Sequence, residues 1–241
     1  VVARVLSTPE AAQECAKLGF CGKNLICMQG PFGEELNYAM LRQTGARYLV
    51  TKESGKTGGF PEKVRAASRA GATVTTLSAL ATAKDMAACG LTAGTWGNIS
   101  GRVDDRWMVI TPSGMDYSKL TPEQMVVVNM RTCEYQGNLK PSIELPLHVR
   151  LLLNRPEVYG VVHTHSPKAL AVAVTRRGIP PICDDQVQLL GGEIRCARYT
   201  HPGTQEMAES VLEAIEGRFG ALIANHGAIT LGRTLKEALT G

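Results

Sequence analysis

The sequence predicts an α/β chain in two parts, and two observations carry that reading. Short apolar runs alternate with amphipathic helical segments over the first 77 residues, and near residue 78 the texture changes to short strands that follow one another closely. The length agrees, since 241 residues make about one and a half ordinary domains. No Pro/Ser-rich linker separates the parts, so the division into 1–77 and 78–241 rests on texture alone.

The elements follow in order. Residues 8–19 form a helix: Ser7 or Thr8 caps it, Glu10 lies in its first turn and Gly19 ends it. NLICMQG (24–30) is an apolar run closed by glycine, as in a buried strand. Residues 30–45 are a loop and then a helix in which Leu36, Ala39 and Met40 keep a three-and-four spacing. ARYLVTK (46–52) is a strand, 53–63 a Gly-rich loop, VRAASRAG a helix closed by Gly71, and ATVTTL (72–77) a strand. Strands separated by helices call for a parallel sheet. Beyond 78, SALATAKDMAACG is a helix ending at Gly90, GNISGRV, RWMVITPSG and MVVVNM are short strands, and TCEYQGN is a turn. A helix at about 144–154 is entered through Pro141 and Ser142. VYGVVHTHS is an apolar strand ending in polar residues, PKALAVAVTRRG a helix, IRCARY a strand and THPGT a turn. Helix 204–216, strand ALIANHG and a last helix beginning at TLKEAL complete the chain.

Composition excludes several functions. The net charge is only +4, Lys and Arg are scattered among acids, and no run of five like charges exists, so no nucleic-acid partner is implied. No stretch reaches the ~18 apolar residues of a membrane span, and VVARVLSTPEAAQ lacks the pattern of a signal segment. The chain begins without Met, as expected of a piece of a longer gene product. Seven cysteines without a CxxC argue against a disulfide framework and for a reducing cytoplasm. Several, such as Cys27 in LICMQG, read as small buried hydrophobes, and none is assigned a catalytic role.

Chemistry concentrates in PSIELPLH, VVHTHS and ANHG. Two residues apart on a strand, His163 and His165 face one side, which is what two ligands to one metal need. His226 at another strand end completes a set of three. Three protein ligands with a displaceable position is the pattern of a catalytic zinc, although imidazole also suits other divalent metals. A lone H-x-H is weak, and His226 alone could be a loop residue. His148 and His201 read as surface or core histidines, with His148 one helical turn beyond Glu144 and within reach of supporting the site. Trp96 reads as a packing residue.

These residues, in this order, resemble the class II aldolase and adducin family. The stretches that carry the resemblance are GTWGNIS (94–100), ITPSGMDYSKLTPEQMVVVN (110–129), KPSIELPLH (140–148), RPEVYGVVHTHSPKALAVA (155–173), YTHPGT (199–204) and LIANHGAITLG (222–232). The resemblance covers about 78–241. It implies a three-layer α/β/α fold with a central, mostly antiparallel sheet, and a divalent metal, usually zinc, on His163, His165 and His226. It implies aldol cleavage of a sugar phosphate such as fuculose 1-phosphate through a metal-stabilised enediolate, with Glu144 as acid/base. The family's 4-epimerases carry Asp at that place, so Glu144 favours cleavage. The same fold also hosts a methylthioribulose-phosphate dehydratase and non-catalytic adducin-like heads, and the latter lack the histidine set. The phosphate is expected in loops at Thr95, Gly97, Asn98, Ser113, Gly114 and Ser142, where glycine lets backbone N–H groups approach an anion. Ile143 departs from the second hydroxyl residue often found before the Glu, which removes a donor. The resemblance further implies a homotetramer whose neighbouring subunit supplies an acid/base Tyr. The family's final helix extends beyond where this chain stops.

Residues 1–77 resemble the C-terminal half of precorrin-6A reductase, an NADPH-dependent enzyme, through GPFGEELN and VTKESGKTGGFPEK. The half that completes a hydride-transfer site is missing. Gly30, Pro31, Thr51, Lys52, Ser54 and Gly55 match its binding loops and read first as turns of an α/β lobe, with a remnant anion or corrin site as the alternative.

Overall fold

Thr8 starts the first helix. Its hydroxyl accepts from Ala11 N–H, and Pro9 fills the first turn of α1 (Pro9–Lys17). The computed structural model describes residues 1–51, 58–135 and 138–241. Lys52, Ser54, Gly55, much of the Gly-rich loop and the tip of TCEYQGN therefore lie outside the described residues. The chain divides into two compact units, the first built from Val1–Leu49 and the segment ending at Ala72, the second from Thr73–Gly241 with a short piece of the preceding chain.

In the first unit, β1 (Ala3–Val5), a strand with no strong sequence signal, pairs in parallel with β2 (Leu25–Cys27). Helix α2 (Glu34–Thr44) follows, then β3 (Tyr48–Thr51), which from Val50 onward is grouped with the second unit, and α3 (Phe60–Ala70). Gly45 and Gly71 close the two helices in the left-handed region, as expected of C-terminal glycines. The helices pack through buried Leu41, Phe60, Val64 and Ala67, while Glu34 and Glu35 meet Arg65 and Arg69 across the surface. Cys27, expected to be buried, is exposed although it pairs with Val5 at the end of the two-stranded β1–β2 sheet, whereas Cys15 is buried.

The second unit opens with β4 (Thr73–Thr76) and α4 (Leu77–Ala88). Its main strands are β5 (Asn98–Arg102), β6 (Trp107–Ile110), β7 (Val126–Asn129), β8 (Gly160–Thr164), β9 (Arg195–Ala197), β10 (Gly220–Ile223) and β11 (Gly227–Gly232). They form one seven-stranded sheet in the order β7-β6-β5-β8-β11-β10-β9, antiparallel throughout except for the pair β10–β9. Helices α5 (Leu145–Asn154), α6 (Pro167–Ala173), α7 (Asp184–Leu190), α8 (Gln205–Ala214) and α9 (Leu235–Thr240) accompany it.

Alternation along the strands makes three layers. Met108, Ile110, Val126, Val128, Val161, Ile223 and Ile229 join Leu147 and Leu151 of α5 and Met207 and Val211 of α8 in one apolar cluster. The intervening residues Ile99, Val109, Val127, Val162 and Leu222 are equally buried on the other side, where α4 and α9 pack together and against β5, β8 and β11. This is the α/β/α arrangement with a mostly antiparallel sheet that the family resemblance implies. Among the described residues, no helix is long and apolar enough to cross a membrane.

Arg102 ends β5 on the α5 side. Its guanidinium donates to the carbonyls of Val158, Leu152 and Arg155, so a buried cation closes the carboxyl end of α5.

Candidate functional site

Three adjacent strands position the site. Asn98, the first residue of β5, lies directly opposite His163 on β8, and Ile229 of β11 lies opposite His163 on the other side. Residues opposite one another in an antiparallel ladder point the same way, so Asn98 and His163 share the α5 face with Ser100 and Val161. His165 follows just past the end of β8. His226 sits in the turn from β10 to β11, next to Asn225 at φ +57°. Glu144 stands at the N-cap of α5, its N–H donating to the Ser142 hydroxyl oxygen at 3.2 Å.

The three imidazoles form a nearly equilateral triangle, with ring centroids 4.8–4.9 Å apart and each pair edge-on. One ring nitrogen of each lies within 4.8 Å of the others. His163 Nε2 is 3.1 Å from His165 Nε2. Glu144 closes the cluster, Oε2 at 3.3 Å from His163 Nε2 and Oε1 at 3.2 Å from His226 Nε2. Glycine makes this approach possible: a Cβ at Gly227 would lie 2.1 Å from the Thr164 carbonyl, and one at Gly97 would lie 2.6 Å from the His163 carbonyl.

Electrostatics favours a cation here. His163 Nδ1 lies 2.9 Å from the Ala228 carbonyl, which places its proton there and leaves a lone pair on Nε2. That lone pair faces a carboxylate oxygen and a second imidazole nitrogen, and a metal ion satisfies all of them. Burial pushes the His165 imidazole down to about 4, with His163 and His226 adding to the fall. Burial and His163 lower His226 as well. Burial alone would raise the Glu144 carboxyl, but the His163 and His226 imidazoles and the Asn98 amide outweigh it and hold the group below its usual range. The lowered imidazoles of His165 and His226, the Nε2 lone pair of His163 and the carboxylate of Glu144 are a fitting donor set for a divalent metal.

Of the residues expected at the phosphate, Gly97 is buried at φ +73° with its carbonyl accepting from the Tyr117 hydroxyl. Ser113 and Gly114 lie exposed on a loop tied to the 140–142 segment by Ser113 N–H to Lys140 and Ser142 N–H to Thr111. Ser142 is buried and Thr95 exposed. Asn98 is largely committed elsewhere: Nδ2 donates to Glu144 Oε2 at 2.7 Å and Oδ1 meets His148 Nε2. Ile143 is 68% exposed, so it fills no core position.

Two residues take unexpected places. Trp96 is 61% exposed and stacks on His165, with centroids 5.7 Å apart, rather than packing inward. His148 is fully buried and bonded to Asn98 and Ser100. Its four-residue spacing from Glu144 was the visible signal. For Ser100 the signal was its alternation with Asn98 along a strand. His201 is exposed and outside the cluster.

Residues 78–240 match the family described as class II aldolase and adducin N-terminal domain, and residues 1–88 match the family described as precorrin-6x reductase CbiJ/CobK. The 5-methylthioribulose-1-phosphate/5-deoxyribulose-1-phosphate aldolase of Rhodospirillum rubrum is 40% identical over 157 residues, 65% of this chain and 70% of that one. The L-fuculose phosphate aldolase of Escherichia coli K12 is 37% identical over 158 residues, 66% of this chain and 73% of that one. A solved L-fuculose 1-phosphate aldolase superposes with a TM-score of 0.64 at 29% identity, over 67% of this chain and 76% of the other.

Proposed function

The chain belongs to the class II aldolase and adducin family, and from that premise we propose that it catalyses the reversible aldol cleavage of a ketose 1-phosphate, using a divalent metal, zinc by preference, on His163, His165 and His226. The observation that carries the reading is the meeting of one buried carboxylate with three convergent imidazoles. The relatives named above act on fuculose phosphate and on 5-deoxyribulose or 5-methylthioribulose 1-phosphate, and the substrate here is placed in that class.

In cleavage, the C3–C4 bond breaks with its electron pair left on C3, the C4 hydroxyl proton passes to the acid/base Tyr expected from the neighbouring subunit as the aldehyde forms, and C3 takes a proton from Glu144, so one proton leaves the substrate and one returns. A bound metal would supply the positive charge that makes negative charge on the substrate's carbonyl and hydroxyl oxygens affordable. Glu144 moves the proton to and from C3. It is ionised at rest, so it is ready to accept, and it is buried away from bulk water, so a proton placed on it is not lost to solvent. The loops at Thr95, Gly97, Ser113, Gly114 and Ser142 receive the phosphate, with Asn98 at their edge supporting Glu144. The working enzyme is a cytoplasmic homotetramer, and its seven cysteines are free thiols, as a reducing compartment requires. The first unit is a reductase-like lobe without an assigned reaction.

Metal analysis and a retro-aldol assay on fuculose, 5-deoxyribulose and 5-methylthioribulose 1-phosphates test the reading, with product NMR separating cleavage from 4-epimerisation and dehydration. Stoichiometric metal and release of dihydroxyacetone phosphate with an aldehyde are expected. A chain that binds no metal refutes it.

A further inference from the structure

A chain of hydrogen bonds runs from Glu144 into the core. Asn98 Nδ2 donates to Glu144 Oε2 (2.7 Å), Asn98 Oδ1 meets His148 Nε2, and His148 Nδ1 meets the Ser100 hydroxyl at 2.6 Å. The direction of each bond follows from the first. Asn98 gives its NH2 to Oε2, which turns its carbonyl oxygen toward His148. That oxygen requires a proton on Nε2. A neutral ring then has a bare Nδ1, which accepts from Ser100. All four side chains are buried, and burial pushes His148 down to about 3, so the ring stays neutral. Helix and strand geometry build the chain: Glu144 and His148 are one turn apart at the start of α5, and Asn98 and Ser100 alternate along β5.

The two oxygens of Glu144 are therefore unlike. Oε2 holds the Asn98 donor and lies 3.3 Å from His163 Nε2, while Oε1 meets His226 Nε2 at 3.2 Å and, among the described residues, accepts no side-chain amide. We infer that Ser100, His148 and Asn98 are positioning residues that tether Oε2 of Glu144, so that Oε1 is the oxygen that exchanges the proton in the reaction. The inference rests on the aldolase reading. The tether fixes the rotation of the carboxylate, and it works through Asn98 without His148 or Ser100 touching substrate.

Two measurements on the whole chain test it. Long-range proton–nitrogen NMR of histidine-labelled protein reads the His148 tautomer without any activity. A protonated Nε2 with bare Nδ1 is expected, and a protonated Nδ1 overturns the tether. Kinetics read its role. His148→Leu removes the donor to Asn98, whereas His148→Gln keeps an N–H. The leucine variant is expected to lower kcat roughly 10- to 100-fold, to hold KM within about threefold, and to retain zinc against a chelator; glutamine is expected to recover most of kcat. Equal loss in both variants, or a loss traced to zinc, makes His148 a packing residue and overturns the role. If His148→Leu does not fold, Ser100→Ala cuts the far end of the chain, and a kcat equal to the unaltered enzyme's then overturns it. An unaltered chain that shows the expected tautomer but cleaves no ketose phosphate upholds the tether and refutes the aldolase reading together with the part of Oε1 in it.

Discussion

Replacing Gly227 by alanine tests whether the approach of β11 to β8 sets the histidine triangle. The new Cβ would stand 2.1 Å from the Thr164 carbonyl and 3.3 Å from His163 Cε1, where ordinary contact begins at 3.4 Å. The neighbouring atom is backbone between His163 and His165, so no side chain can swing aside. The φ of Gly227 lies outside the left-handed region, so the whole effect is contact rather than backbone strain. To regain contact, β11 must move about 1.3 Å from β8, a distance comparable to the ~1 Å misplacement that costs an active site about 100-fold. Overpacking of this kind costs about 1–3 kcal/mol, which is on the order of 5 °C in Tm for a chain of this size. The assay is zinc affinity by chelator competition, with melting curves in the presence and absence of metal. Affinity is expected to fall roughly 10- to 100-fold, and Gly33→Ala, with nothing within 4 Å of its Cβ position, serves as a control that changes neither quantity. A Gly227→Ala chain with unaltered zinc affinity and Tm refutes the idea that strand approach holds the three rings together.

His163→Ala is expected to lose stoichiometric metal and with it the retro-aldol activity, and retention of one zinc per chain would remove this residue from the metal set. Ile143→Ser adds a hydroxyl at an exposed position, so stability should stay within about 0.5 kcal/mol while KM for a phosphorylated ketose falls several-fold; an unchanged KM places the phosphate elsewhere. Arg102→Leu leaves the carbonyls of Leu152, Arg155 and Val158 without their buried donor, and equilibrium unfolding should show a loss of about 3 kcal/mol, with a loss under about 0.5 kcal/mol refuting the capping role. The pH dependence of stability carries the imprint of His148. Its folded value of about 3 lies below the ~6.5 of an unfolded histidine, so the unfolded chain binds the extra proton first. Stability is full above about 6.5 and falls as pH drops toward 3, with this residue contributing up to about 1.4 kcal/mol per pH unit. Denaturation midpoints of the metal-free chain should fall less steeply in His148→Leu, and identical acid slopes would show that the ring titrates freely.

The sheet was legible in sequence wherever strands were apolar and the helices wherever their ends were marked. Thr8 and Pro9 at α1, Gly45 and Gly71 at α2 and α3, and Thr204 at α8, whose hydroxyl accepts from Met207 N–H, act as their residue types predict. The histidines and Glu144 converge because H-x-H alternation and helix capping are local rules. What escaped depends on distant contacts. β11 hides in GAITLG because glycines at both ends resemble turns, whereas they serve close approach: Cβ atoms at Gly227 and Gly232 would strike Thr164 and Ala238 backbone. The helix expected over PKALAVAVTRRG stops at Ala173, since Arg176 takes φ +58° and Gly178 leads into the Ile179–Ile194 bridge. Helix α7 carried its signals, two aspartates in the first turn and Gly191 past the end, but its weak apolar face concealed them. Trp96 shows the same limit at the site, because whether an aromatic side chain packs inward or stacks on a histidine depends on a strand far away in sequence.

The ladder of β5, β8 and β11 has a consequence for how this molecule can change. His163 and Asn98 are fixed by strand register, and a slip of one residue would turn every side chain over. The residues assigned to the phosphate, together with Trp96 and Ile143, lie in turns whose shape varies by degrees. Bond chemistry is thus written in an all-or-none script and substrate choice in a graded one. Diversifying positions 95, 96, 113 and 143 would explore new sugars while the sheet holds His163 and Asn98 and the start of α5 holds Glu144.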